Sequence, residues 1–268
     1  MTVTVKTPFL PSTSAYQPGV TWANSSIPLS GGLCRATLGT SLKDAVFADY
    51  WKQWKDMKIV RSAYHYMMNN LGSADQAKFF VNTVNAAGGF AAGDRPCLDM
   101  EDANPSVSAI VDWFYNVEVL TGISHKKMLL YSRASYLNPL SLAKLSDYQK
   151  QYLLEIPTWM AGYPNDPNPY TFSQLKSMYQ ADPLRYGTMV IAQYAASVVI
   201  PGIANTQAQG TECNTIDADY LAQWQADSGL SGTVTPPVVP PATTLPTITL
   251  NLSAPGYDNV TVVWPPKV

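Results

Sequence analysis

The stretch Arg95–Glu101, RPCLDME, followed by Asp102, decides how this chain is read. Cys97 and Leu98, bounded by Pro96 on one side and by acids on the other, form a short apolar run of the kind that becomes a buried strand. Similar runs recur along the chain: Gly32–Thr37 (GLCRAT), Ile59–Tyr66 (IVRSAYHY), Lys127–Ser132 (KMLLYS), Pro157–Tyr163 (PTWMAGY) and Met189–Tyr194 (MVIAQY). Helical patterns separate several of them. Asp44–Met57 places Val46, Phe47, Tyr50, Trp51 and Trp54 at helical spacing, which assigns the two tryptophans to the core. Ser73, with Gln76 three residues on, reads as an N-cap opening a helix through Ala87 that Gly88 and Gly89 stop. Ser106–Thr121 reads as a helix closed by Gly122. Alternating strands and helices imply parallel strands joined by right-handed crossovers. The expected fold is therefore α/β, a TIM-barrel-like (β/α) barrel with its chemistry at the C-terminal ends of the strands. Neither GxGxxG after the first strand nor GxxxxGK[ST] anywhere is present, which removes both nucleotide-binding fingerprints.

The 268 residues include 17 basic and 19 acidic side chains, a formal charge of −2. Charged residues make up 13%, about half the roughly 25% of an ordinary globular domain. With 46% apolar residues, 7 Trp and 16 Tyr, the chain can bury a large core, which excludes disorder of the whole. The weak charge argues against a nucleic-acid partner and suits a neutral, hydroxyl-rich ligand. Met1–Leu10 lacks the pattern of a secretory signal, and no apolar run reaches membrane-spanning length, so no membrane insertion is expected. Cys34, Cys97 and Cys213 are an odd number with no CxxC and no neighbouring His, which reads as buried free thiols, with neither a disulfide framework nor a zinc site. The expected domains are a barrel over 1–227, a Pro/Thr-rich linker over 228–246 and a short β-prone tail over 247–268.

Asp99 and Glu101 carry the chemistry. Residues two apart on a strand face one side, so both acids project into the barrel mouth with carboxylates about 5–8 Å apart. That range brackets the roughly 5–5.5 Å of retaining glycosidases and touches the inverting range. Repulsion between adjacent acids raises the pKa of one and keeps it protonated near neutrality. A proton donor beside an anion is the minimum apparatus for glycoside cleavage. The same tripeptide serves elsewhere as a metal-ligand pair or as a cap on the following loop. Tyr64, Tyr66, Tyr131, Trp159 and Tyr163, near strand ends, are candidates to stack on sugar rings. His65 alternates to the opposite face from Tyr64 and reads as a core histidine.

The blocks Ala15-Tyr16-Gln17 with Trp22, RATLGT, SAYHYM, QAKFFVNTV, PCLDMED, VEVLTGISHKKMLLYS, IPTWMAGY, IAQYA and Ile216-Asp217-Ala218-Asp219 occur in that order. Together they resemble the glycoside hydrolase family 25 lysozymes, the Chalaropsis-type muramidases common among phage endolysins. That family's blocks are DVSxYQ, KATEG, YHF, PxLDxE, a tyrosine-bearing strand, PxWxAxY, WQY and a late VDxN. The resemblance covers Pro11–Leu221. It implies an irregular, flattened barrel that cleaves the β-1,4 bond between N-acetylmuramic acid and N-acetylglucosamine in peptidoglycan, with no cofactor and no metal. By the resemblance, Glu101 is the general acid/base and Asp99 orients the substrate's 2-acetamido group as it attacks the anomeric carbon, so the reaction retains configuration. Asp217 matches the late aspartate of the same cleft, and Gln193 belongs to the WQY block.

Three positions depart from the pattern. Ser12 stands where the family has an N-terminal aspartate, Leu38 where it has the KATEG glutamate, and Ala192 where it has a tryptophan that could pack against sugar. Ser12 remains a candidate substrate contact. Loss of an electrostatic group typically costs ~10²–10³ in rate, so the alternative is a catalytically impaired barrel acting as a glycan-binding or virion structural protein. As an enzyme, the protein is expected to be made in the cytoplasm without a signal peptide. It would reach the wall by holin-type release or as part of a virion, with the linker joining it to a wall-binding or structural module.

Overall fold

The computed structural model describes residues 5, 7–102, 106–163, 170–200, 202–203, 210–230, 247–250 and 260–263. In chain order the elements are β1 (Leu10–Thr13), β2 (Gly31–Leu38), β3 (Leu42–Lys43), α1 (Phe47–Asp56), β4 (Val60–Tyr66), α2 (Ser73–Ala86), β5 (Arg95–Asp99) and α3 (Val107–Thr121). There follow β6 (Leu129–Ser132), α4 (Ala134–Leu137), α5 (Asp147–Leu154), β7 (Thr158–Ala161), α6 (Phe172–Tyr179), β8 (Met189–Val198), β9 (Thr211–Ile216) and α7 (Ala218–Asp227). Two tail strands, β10 (Thr247–Leu250) and β11 (Val260–Val263), pair antiparallel as a hairpin. The proposed linker lies outside the described residues from position 231 onward.

Eight strands close the barrel in the order β1-β2-β4-β5-β6-β7-β8-β9 and back to β1, while β3 folds back on the end of β2. Every pairing from β1 round to β8 is parallel. The ring is not parallel throughout, because β9 runs antiparallel to both β8 and β1. An antiparallel return needs no crossover helix, and none of the described residues between β8 and β9 is helical.

Alternation along the strands divides the core in two. Leu33, Val60, Tyr64, Cys97, Leu129, Tyr131, Trp159 and Ile191 fill the barrel. Ala63, Leu98, Leu130 and Met160 face the surrounding helices, where Trp51, Trp54, Phe80 and Trp113 complete the outer layer. All three cysteines are buried and free. His65 points outward as expected: Nδ1 meets Thr37 Oγ1 at 2.7 Å, Nε2 meets Gln76 Oε1 at 3.2 Å, and the ring stacks on Trp113.

Helix α7 closes the end of the barrel where the parallel strands begin. Leu221 and Trp224 join the inner core, Trp224 Nε1 donates to Gly93 O at 2.6 Å, and Arg95 Nη2 donates to Asp227 Oδ2 at 2.5 Å.

Helix ends show where local reading falls short. Ser106 and Gly122 flank α3 as expected, the glycine in the left-handed region at φ 70°. At α2, however, Gly72 holds the N-cap position and no side chain caps it. Gln76 instead turns inward, donating to Met68 O and Leu71 O and accepting from Met68 N. It thereby pins the loop that carries Met68 to the barrel mouth.

Candidate active site

A cleft of about 650 Å³ opens at the C-terminal ends of the parallel strands. Its wall is built strand by strand: Ser12 from β1, Arg35 and Leu38 from β2, Tyr64 and Tyr66 from β4, Asp99 from β5 with Glu101 just past its end, Tyr131 from β6 and Trp159 from β7. Asp99 ends β5, and the backbone stays extended past it because Met100 N donates to Tyr131 O at 2.9 Å. That extension keeps Glu101 on the same side as Asp99. Aromatic walls hold the acids in place. Tyr131 lies 4.3 Å from Trp159 between ring centroids, Trp159 Nε1 donates to Asn214 Oδ1 at 2.8 Å, and Tyr64 OH donates to Thr13 O at 3.1 Å.

A third carboxylate, which the sequence reading missed, completes the site. Glu212 on β9 pairs directly across from Ser12 on β1 and lines the cleft. Because β9 runs antiparallel, its first residues, not its last, reach the mouth. For the same reason Asp217, just past the end of β9, is carried to the opposite pole. There its carboxylate caps α7, accepting from Asp219 N at 3.1 Å and Tyr220 N at 3.0 Å. Its assignment to the cleft is therefore corrected. A signal for Glu212 was present: Thr211-Glu212-Cys213-Asn214 fits the VDxN block with Glu for Asp, five residues before the stretch first matched to it.

The three acids share one desolvated environment. Burial, then the charges of Glu101 and Glu212, push the Asp99 carboxyl well above the usual carboxylate range, and Arg35 offsets this only in part. Burial also raises Glu212, with Ser12 and Gln193 favouring its charge and Glu101 opposing it. Glu101 is raised by burial against the pull of Arg133 and Tyr131. Of the Asp99–Glu101 pair the better proton holder is therefore Asp99. The expectation that Asp99 and Asp217 together keep the proton on Glu101 is amended accordingly, since Asp217 is not there and Asp99 is the more deeply buried.

The remaining candidates fall at different depths. Tyr64, Tyr66, Tyr131, Trp159 and Ser12 all line the cleft. Tyr163 and Gln193 stand behind that wall, where Gln193 Oε1 accepts from both the Tyr131 and the Tyr163 hydroxyls. One buried polar atom here, Asp99 Oδ1, makes no hydrogen bond. Such a group is costly to leave bare, and in a cleft it suits a polar ligand. Ala192 belongs to the outer core packed under the helices. A tryptophan there could not reach a sugar in the cleft, so that departure from the family pattern removes no sugar contact.

Comparison with known proteins agrees with this geometry. The chain spans about half the length of the curated relatives it matches, among them the "Uncharacterized protein YegX" of Escherichia coli strain K12. That relative is 29% identical over 162 residues, 56% of this chain and 54% of its own. The barrel superposes with a TM-score of 0.60 on the catalytic domain of the endolysin ply40 from Listeria monocytogenes bacteriophage P40, at 20% identity over 85% of this chain and 98% of that one. The same score is found for the Streptomyces coelicolor lysozyme, at 19% identity over 83% and 98%, and for the Trichobolus zukalii muramidase, at 19% over 82% and 99%. The profile described as "Glycosyl hydrolases family 25" matches residues 13–203, most of the barrel, and the chain belongs to that family.

Proposed function

We propose that the protein is a peptidoglycan muramidase that hydrolyses the β-1,4 bond between N-acetylmuramic acid and N-acetylglucosamine with retention of configuration. The observation that carries this reading is the Asp99–Glu101 pair, joined by Glu212, at the mouth of an aromatic-walled cleft. Glu101 protonates the glycosidic oxygen as the bond to the anomeric carbon breaks. The substrate's acetamido oxygen attacks that carbon and forms a cyclic oxazolinium ion. Asp99, as an anion beside the acetamido N–H, orients and stabilises it. A substrate N–H at Asp99 favours its charged form and leaves the shared proton to Glu101. Water, deprotonated by Glu101, then opens the ring from the original face. Peptidoglycan is the macromolecular partner in this reading. A barrel over 1–227 joined through 228–246 to a wall-binding or virion module, and delivered by holin-type release, is the corresponding arrangement.

A second reading, a glycan-binding or virion structural barrel without turnover, rests on Ser12 and Leu38 in the cleft wall. One experiment separates the two. Purified protein is incubated with peptidoglycan and the products are resolved by mass spectrometry. New reducing-end N-acetylmuramic acid, absent with Glu101→Gln, supports the muramidase. Binding without products in either form supports the alternative, and peptide-bond products alone would refute both. Proton NMR of the first product should show the β anomer before mutarotation.

A further inference from the structure

Arg133 follows β6 directly, and its Nε lies 3.4 Å from Glu101 Oε1. The guanidinium sits over the rings of Tyr163 and Tyr136, 5.2 Å and 5.8 Å from their centroids. Its Nε is shielded from solvent, while the side chain as a whole is 40% exposed. The link to Glu101 is a single long ion-pair contact through Nε, braced by two aromatic faces, and not a bidentate fork.

Other groups bear on Glu101 from several strands. Asp99 lies on its own strand, Glu212 on β9, Tyr131 on β6, Tyr66 on β4 and Tyr163 past β7, with Asp102 adjacent. These are acids or phenols. Arg35, on β2, acts on Asp99 and Glu212 from the far side of the cleft. Among the described residues, Arg133 is the cation in contact with Glu101 itself.

We infer that Arg133 is a positioning residue that favours the ionised form of Glu101 and draws it toward the end of β6, and so sets the pH above which cleavage fails. The inference rests on the reading of Glu101 as proton donor. A general acid works only while it carries its proton, and the alkaline limb of kcat/KM reports where the free enzyme's carboxyl cluster loses the last one. A cation beside the cluster makes that loss easier. Without Arg133 the proton should be retained to higher pH, so the limb should move in the alkaline direction. Because the pair is partly exposed, salt should weaken the effect.

The test is the pH profile of kcat/KM on soluble peptidoglycan fragments for the full chain and for Arg133→Gln, Arg133→Lys and Glu101→Gln. At low salt, Arg133→Gln should show its limb displaced to higher pH, with kcat/KM about three- to ten-fold above the parent on the alkaline side. Arg133→Lys, which keeps the charge, should follow the parent. In about 1 M salt, where the screening length falls to about 3 Å, the glutamine variant and the parent should converge. A purely structural role would lower kcat/KM at every pH and leave the limb in place, which would overturn the inference. An equal displacement in Arg133→Lys would overturn it too. If Glu101→Gln cleaves as the parent does, the underlying assignment of Glu101 fails instead. An inactive Glu101→Gln with an unmoved limb in Arg133→Gln isolates the failure to Arg133.

Discussion

His65 should make this barrel acid-labile by an amount that can be worked out in advance. The ring is buried between β4 and the outer helices, and burial pushes its pKa down from 6.5 to about 4 against the opposing hydrogen bond of Gln76. An unfolded chain has no such restraint, so below the unfolded value it binds a proton that the native state refuses. The sign follows directly: the neutral ring's contribution is fully present above pH 6.5 and is lost as the pH falls toward 4. A displacement of that size corresponds to about 3 kcal/mol at roughly 1.4 kcal/mol per pH unit. Against a typical total of about 5–15 kcal/mol, this is a large share from one side chain. The assay is urea unfolding followed by tryptophan fluorescence, at several pH values from 7.5 to 4.5, for the parent and for His65→Asn. Asparagine lowers stability at every pH by removing packing, but it cannot titrate. The difference between parent and variant should therefore shrink by about 2 to 3 kcal/mol across that range, while contributions from the cleft carboxylates cancel in the subtraction. Parallel curves for the two proteins would refute the reasoning, since they would mean that His65 is protonated as readily in the folded barrel as outside it.

Three further outcomes follow from the site and its frame. Glu101→Gln should abolish cleavage of peptidoglycan yet largely spare an aryl glycoside whose leaving group needs no proton, whereas Asp99→Asn should slow both; steady-state kinetics on the two substrates decide it. Glu212→Gln should lower kcat by about 10²–10³-fold with little change in Tm, whereas Asp217→Ala should leave kcat unchanged and cost about 1 kcal/mol of stability through the lost helix cap; the reverse pattern would restore Asp217 to the cleft. Gly32→Ala should destabilise the protein by about 1–3 kcal/mol, measured by thermal unfolding, because a methyl group there would stand 2.2 Å from the Trp54 ring.

The parts of the molecule legible in the sequence are those where local pattern and tertiary role coincide. β2, β4, β5, β6 and β7 each carry a dense apolar run, and α1 and α3 carry a clear stripe, so periodicity finds them. The strand β1, LPST, is four residues long and contains a proline, and β9, TECNTI, has no apolar run at all. Both draw their stability from closing the ring rather than from their own composition. Strand direction is a further property that a pattern does not carry. Matching the late VDxN block to Ile216–Asp219 rather than to Thr211–Asn214 is what sent Asp217 to the cleft and passed over Glu212, and only the antiparallel course of β9 shows which of the two acids reaches the mouth. Gln76 makes the same point at smaller scale: its spacing from Ser73 suits a capping box, but the loop carbonyls of Met68 and Leu71 compete for its amide and win.

The closure of the barrel base by α7 also settles how the enzyme can be handled. Asp227 is tied to Arg95 where β5 begins, so the main chain leaves the barrel on the face away from the cleft. An affinity tag, a bead surface or a second enzyme joined directly at Leu230 would start from the rear of the molecule. Anchoring at Leu230 itself should leave the cleft pointing outward, open to the peptidoglycan proposed as its substrate.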